Sequence, residues 1–173
     1  MARRIAVVGG SGSGKTTVAR RLAELHDLPC VELDALYWGP DWTPRPEQDF
    51  RTRVDAAIAA DAWVVDGNYY GRLHDLVLAR ADFVVWLDLP LRITLPRLWS
   101  RTRRRMREQT ELWNGNRETW RGALFRRDSL FAYAVRTHRG RRKRYKERLA
   151  RYRVVRLKSE RETEDWLASE ALP

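Results

Sequence analysis

Gly9-Gly10-Ser11-Gly12-Ser13-Gly14-Lys15-Thr16 forms a complete G-x-x-x-x-G-K-T run, and it follows directly on the apolar stretch Ile5-Ala6-Val7-Val8. These residue types at this spacing hold a nucleoside triphosphate. Glycines at 9, 12 and 14 let the backbone turn its N–H groups inward around phosphate oxygens, Lys15 reaches the β- and γ-phosphates, and the Thr16 hydroxyl ligates Mg²⁺. Gly10, Ser11, Ser13 and Thr17 complete the expected cofactor-binding set. Phosphoryl transfer also calls for a carboxylate near the metal. Three aspartates close apolar runs: Asp34, Asp66 and Asp88. Asp66 ends Trp63-Val64-Val65 and precedes Gly67, where water-activating ATPases commonly carry a glutamate. That pattern favours transfer to a substrate over hydrolysis and makes Asp66 the metal partner of Thr16. Asp34, just ahead of Tyr37 and Trp38, is placed to accept a substrate hydroxyl proton or to assist Mg²⁺ binding. The plainer role for each aspartate is a helix cap or a turn. For Asp88, two residues before Pro90, capping is the favoured expectation.

Residues with these duties need strands that end beside one another and a helix that starts at the loop. Strand-like runs fall at Ile5–Val8, Pro29–Leu33, Trp63–Asp66, Phe83–Asp88 and Arg153–Leu157. Helical spacing marks Lys15–Leu25, Pro46–Ala60, Leu73–Arg80, Pro90–Arg107, Asn116–Val135, His138–Tyr152 and Glu160–Ala168, with Pro96 a candidate kink. The alternation predicts an α/β fold, and the wholly apolar strands suit a parallel sheet covered on both faces. Ligands then gather at the C-terminal ends of the strands. At 173 residues and 43 % hydrophobic content, a single domain over 1–173 is expected. No apolar run approaches a membrane span and no signal-peptide pattern precedes the first strand, so a cytoplasmic protein, monomer or homodimer, is expected. Cys30 is the only cysteine, which excludes an intramolecular disulfide and a cysteine zinc cage. Its place on the second strand predicts a small buried residue.

The net charge of +11 is concentrated in two segments. Arg97–Arg107 carries six basic residues and no acid, and Arg136–Arg153 carries ten against Glu147 alone. Thirty of the 34 basic residues are arginine, a planar fork suited to bidentate phosphate contact. The segment His138–Tyr152 reads as basic around nearly its whole circumference, which makes Arg136–Arg153 a candidate nucleic-acid contact.

The chain resembles the adenylate-kinase-like P-loop kinases, and within them the branch called DNA topology modulation protein. The likeness is carried by the Gly9–Thr16 loop, Glu32-Leu33-Asp34 with Tyr37-Trp38, Val65-Asp66-Gly67-Asn68-Tyr69, Leu87-Asp88-Leu89-Pro90 and the arginine-rich helix that follows. It implies a three-layer α/β fold with a five-stranded parallel sheet of order 2-3-1-4-5, and a lid, within 97–135, whose arginines close over the transferred phosphate. Arg97, Arg101 and Arg105, at i, i+4 and i+8, present one guanidinium face, and Arg101 and Arg105 are taken with Lys15 and Asp34 as the catalytic set. In adenylate kinases the element after the aspartate runs Asp-Gly-Phe-Pro-Arg, and its arginine holds the acceptor phosphate. Here Asn68-Tyr69 replaces Phe-Pro and the nearest arginine is Arg72. The expected acceptor side is therefore Asp34, Trp38, Gly67, Asn68, Tyr69 and Arg72.

The leading expectation is a kinase using ATP and Mg²⁺ on a small-molecule acceptor, a nucleotide or nucleoside. A nucleic-acid protein that uses ATP as switch or as donor to a polynucleotide end is the alternative, and a nucleotide-gated interaction protein is a third. Asn116, in Glu111–Arg117, is expected to cap a helix or to lie in a lid loop.

Overall fold

The structure is a computed structural model that describes residues 3–120 and 130–169. Five parallel strands form its centre: β1 (Arg4–Gly9), β2 (Cys30–Glu32), β3 (Trp63–Asp66), β4 (Phe83–Leu87) and β5 (Val154–Leu157). Their spatial order is β2-β3-β1-β4-β5, as the resemblance implied. The register pairs Val7 with Asp66 on one side and with Val85 on the other. The C-terminal ends of β1 and β3, where the glycine-rich loop begins and Asp66 sits, thus lie side by side.

Alternation along the strands divides the core into two layers. Ala6, Val8, Val65, Val84 and Trp86 pack with Leu33, Phe50, Val54, Leu73, Tyr145 and Leu149, while Ile5, Val7, Val64, Phe83 and Val85 pack with Val18, Leu22, Leu28, Leu157 and Leu167. Every residue of β3 and β4 is buried, and each large side chain so enclosed contributes about 2 kcal/mol relative to exposure. The helices that supply the two outer layers are α1 (Lys15–His26), α2 (Leu33–Tyr37), α3 (Glu47–Ala57), α4 (Tyr70–Leu73), α5 (Leu91–Arg107), α6 (Leu130–Leu149) and α7 (Glu160–Ala168). α1 buries Val18, Ala19, Leu22 and Ala23 and ends at Asp27 in the left-handed region, with Leu28 N–H donating to Ala23 O at 2.8 Å. On α5, Thr94, Leu98, Thr102 and Met106 form the buried stripe, and the helix runs through Pro96 unbroken. Among the described residues no helix is long and apolar enough to cross a membrane.

Several expectations are corrected. The segment Leu73–Arg80 is not a helix: α4 stops at Leu73, His74 takes φ 48°, and a series of turns follows, because Leu73, Val77 and Leu78 reach the core without regular helical bonding. Cys30 is exposed, since β2 is a short edge strand. The two helices expected at Asn116–Val135 and His138–Tyr152 are not separated at 136–137. α6 is continuous there, residues 117–119 are not helical, and the part at 121–129 lies outside the described residues.

Asp88 is not a cap either. It is buried, and its Oδ2 accepts from Arg142 Nε at 2.9 Å and from Arg156 Nε at 3.0 Å, while the Arg156 guanidinium lies over the Trp86 ring. This cluster ties α6 and β5 to the end of β4. Truncation by Asp88→Ala leaves two guanidinium groups facing a low-dielectric wall. Both arginines are more exposed than the aspartate and can rehydrate, so the expected loss is about 2 kcal/mol, below the range for a fully buried pair. Urea denaturation of the variant measures it, and a change under 0.5 kcal/mol would show the cluster to be inert.

Candidate functional site

The phosphate loop bridges β1 and α1 and is braced from outside by two helices. Gly12 has φ 77°, and a Cβ there would sit 2.4 Å from Thr94 O of α5, so only glycine permits this approach. Ser13 is buried, Ser11 and Gly10 are half-buried, and Thr17 is exposed on α1. Lys15 Nζ donates to Gly10 O at 3.0 Å. Burial pulls its ammonium below the usual lysine range; the carboxylates of Asp66 and Asp34 oppose that shift, and Arg101 and Arg141 add to it. Five charged groups therefore converge on the loop.

Asp66 and Thr16 are brought together as expected, with the Thr16 hydroxyl donating to Asp66 Oδ2 at 2.5 Å. Asp66 Oδ1 is buried without a hydrogen-bond partner, and burial pushes the carboxyl above its ordinary range. An oxygen-rich pair with an orphaned carboxylate oxygen beside the loop suits a hard divalent cation. These residues fit Mg²⁺.

Asp34 lies in the first turn of α2 rather than on the strand. Its Oδ1 accepts the Tyr69 hydroxyl at 2.5 Å, and burial followed by the Asp34 charge pushes that phenol far above its usual range, so it remains a donor. Tyr69 is itself held by the rings of Tyr37 at 4.6 Å and Phe50 at 5.0 Å. Trp38 is half-buried, edge-on to Tyr37 and Trp42. Arg72 is exposed, with its guanidinium 5.2 Å from the Tyr37 ring centre and 4.0 Å from Glu47. Asp34, Trp38, Tyr69 and Arg72 thus border one aromatic wall. Asn68 does not join them, because both ends of its amide are bonded to the backbone of Gly9.

The three arginines expected to act as a lid diverge in their partners. Arg97 pairs with Glu160 at 2.8 Å, and Arg105 with Glu118 at 2.8 Å. Arg97 still lies beside the loop, with an Nη atom 3.8 Å from where a Cβ on Gly14 would sit. The Arg101 Nε is buried and unpartnered, burial and then the Arg105 charge lower its proton affinity, and Glu118, Asp34 and Asp66 act against them. Asn116 is buried and clamps two loops, accepting from Trp42 N–H at 2.7 Å and donating to Gly39 O and Trp113 O at 2.8 Å each. It is a latch that closes the short turn at 113–115, not the N-cap of a following helix, since residues 117–119 are not helical.

Sequence reasoning missed Arg141. A side chain on Gly10 would lie 2.6 Å from an Arg141 Nη atom, so α6 lays a guanidinium against the phosphate loop. Within a run of ten basic residues no local signal singles it out. Other members of that run are also engaged elsewhere: Arg142 by the buried Asp88, Arg148 over Tyr70 at 3.5 Å, and Arg151, at the surface, by Asp75. Ala134, Tyr145 and Leu149 are buried, so α6 is not basic all round.

No family model and no curated relative matches the sequence. The fold, by contrast, has solved counterparts. A shikimate kinase from Bacteroides thetaiotaomicron superposes with TM-score 0.61 at 14 % identity, covering 98 % of this chain and 97 % of that one. A gluconokinase from Sinorhizobium meliloti 1021 gives 0.54 at 21 % identity, covering 98 % and 93 %. A deoxyadenosine kinase from M. mycoides with bound dATP gives 0.57 at 13 % identity, covering 96 % and 97 %. At these identities the likeness is one of fold: a three-layer α/β fold shared with P-loop kinases.

Proposed function

We propose that the protein is an ATP-dependent kinase that transfers the γ-phosphoryl group to a small-molecule acceptor. The observation that carries this reading is the convergence of Lys15, Asp66, Asp34 and Arg101 on one phosphate loop in a fold shared with kinases. Loop N–H groups and Lys15 hold the triphosphate, and Thr16 with Asp66 holds Mg²⁺, which neutralises phosphate charge when bound. Arg101, with an unbonded Nε, meets the charge that grows on the transferring group, and the Arg105–Glu118 pair flanks it. Asp34, oriented by the Tyr69 hydroxyl, takes the proton of the attacking group. Aromatic faces beside it and the Arg72 guanidinium suit a nucleotide or nucleoside. Acceptor-dependent ADP formation across nucleosides, nucleoside monophosphates and polyhydroxylated acids tests the reading. Product formation that Lys15→Ala abolishes supports it, and tight MgATP binding with no acceptor-dependent ADP contradicts it.

The metal pair has a pH signature. Because the Asp66 pKa is raised, protons compete with Mg²⁺ for its carboxylate at a higher pH than for a surface aspartate. Turnover at low Mg²⁺ is expected to fall on acidification from above the ordinary carboxylate range. Raising Mg²⁺ tenfold should move that limb to lower pH. An acidic limb indifferent to Mg²⁺ would separate Asp66 from the metal.

A polynucleotide end as acceptor is the second reading, and it is the one toward which the resemblance to the DNA topology modulation branch points. Arg139, Lys143, Arg144 and Lys146 are exposed on α6 and support it. Binding of single-stranded DNA that weakens steeply between 50 and 200 mM salt is its expected mark.

A further inference from the structure

Successive residues of a strand offer their backbone groups alternately to the two neighbouring strands. On β1 the odd-numbered residues face β3, since Trp63 N–H donates to Arg3 O at 2.8 Å and Gly67 N–H to Val7 O at 3.3 Å, whereas Asp82 N–H donates to Arg4 O at the β4 side. Gly9 is the next residue whose N–H and C=O look toward β3. The β3 backbone has by then left the sheet, turning at Gly67 with φ 146°, a conformation that disfavours any other residue. The side chain of Asn68 takes the place of the missing strand: its Oδ1 accepts Gly9 N–H at 3.0 Å, and its Nδ2 donates to Gly9 O. A carboxamide carries the same donor and acceptor as a peptide unit. The β1–β3 ladder is thereby extended by one step, at the residue where the phosphate loop departs.

We infer that Asn68 is a positioning residue for the phosphate loop, acting through Gly9, and not a contact to the acceptor. The inference rests on the nucleotide-binding reading of that loop. The direction in which the loop leaves β1 decides where its N–H groups point, and the clamp holds that direction before nucleotide arrives. Without it Gly9 loses both partners on one edge, the loop gains freedom, and binding must restore the order. The neighbours of Asn68 act in the same turn on the rest of the site, Asp66 on Thr16 and Tyr69 on Asp34. One four-residue turn thus aligns the loop, the metal pair and the acceptor-side carboxylate.

The test is calorimetric titration of MgADP into the wild-type chain, Asn68→Ala and Asn68→Leu, with the unliganded melting temperature and its rise on MgADP addition recorded for each. Leucine nearly preserves the volume and neutrality of asparagine but neither donates nor accepts. Both variants are expected to bind MgADP about tenfold more weakly, with a smaller rise in melting temperature. Wild-type affinity in Asn68→Leu would reduce Asn68 to a space-filling residue and overturn the inference. A lowered melting temperature with unchanged affinity in both variants would overturn it as well. Absence of MgADP binding by the wild-type chain is a different failure, that of the nucleotide reading itself, and removes the inference with it.

Discussion

Lys15→Ala is expected to lower the rate of phosphoryl transfer by about a thousandfold, or roughly 4 kcal/mol of transition-state stabilisation, while the protein remains folded. The side chain sits at the first position of α1, and the hydrogen bond it makes is to Gly10 O within the loop. No element of the core depends on it. Lys15 is half-buried and feels the charges of Asp66, Asp34, Arg101 and Arg141, in surroundings where a charge acts on phosphate more strongly than in water. Burial disfavours the charged form there, so removing the ammonium also removes a desolvation penalty. The melting temperature should hold or rise slightly. Transfer at more than a tenth of the wild-type rate, in a variant with an unchanged circular dichroism spectrum, would contradict the assignment of the loop.

Asp34→Asn is expected to cut kcat by 10² to 10⁴, the usual range for removing a general base, and to leave MgADP affinity within about twofold. Asparagine retains an oxygen to accept the Tyr69 hydroxyl, so the aromatic wall of Tyr37, Phe50 and Tyr69 keeps its packing. What is lost is the capacity to take a proton. Single-turnover kinetics at saturating MgATP separates this outcome from its rival. A loss confined to nucleotide affinity would move Asp34 to the metal side beside Asp66.

The strand–loop–helix setting of the glycine-rich run was legible because it is local. Eight consecutive residues make the cradle, the strand before them is wholly apolar, and the helix after them shows its own period. Strands buried on both faces announce themselves in the same way, as in Trp63-Val64-Val65 and Phe83-Val84-Val85. Polar residues with several possible partners were not legible. Asp88, Asn116 and Asn68 all lie at positions where a cap or a ligand contact was the economical expectation. Their partners are far away in sequence: Arg142 and Arg156 for Asp88, Gly39 and Trp42 for Asn116, Gly9 for Asn68. Nothing in a local window distinguishes an asparagine that caps a helix from one that closes a ladder.

The arginines make the same point about charge. Spacing placed Arg97, Arg101 and Arg105 on one face, but acids from other segments, Glu160 and Glu118, engage the outer two, with Arg97 still beside Gly14 and the Arg101 Nε left buried and unpartnered. Arg141 is set apart from the other arginines of α6 only by the packing of Tyr145 and Leu149 into the core, which directs that side of the helix toward Gly10. A run of like charges reports composition, and packing decides which member reaches the site.

The central claim, transfer of the γ-phosphoryl group to a small molecule, is tested most directly by incubating the wild-type chain and Lys15→Ala with γ-labelled ATP, Mg²⁺ and a deproteinised cell extract, then separating small molecules from polynucleotides. Label in a small-molecule product, formed by the wild-type chain and absent with Lys15→Ala, is the expected result. Label confined to polynucleotide ends, or no Lys15-dependent label in either fraction, would contradict it.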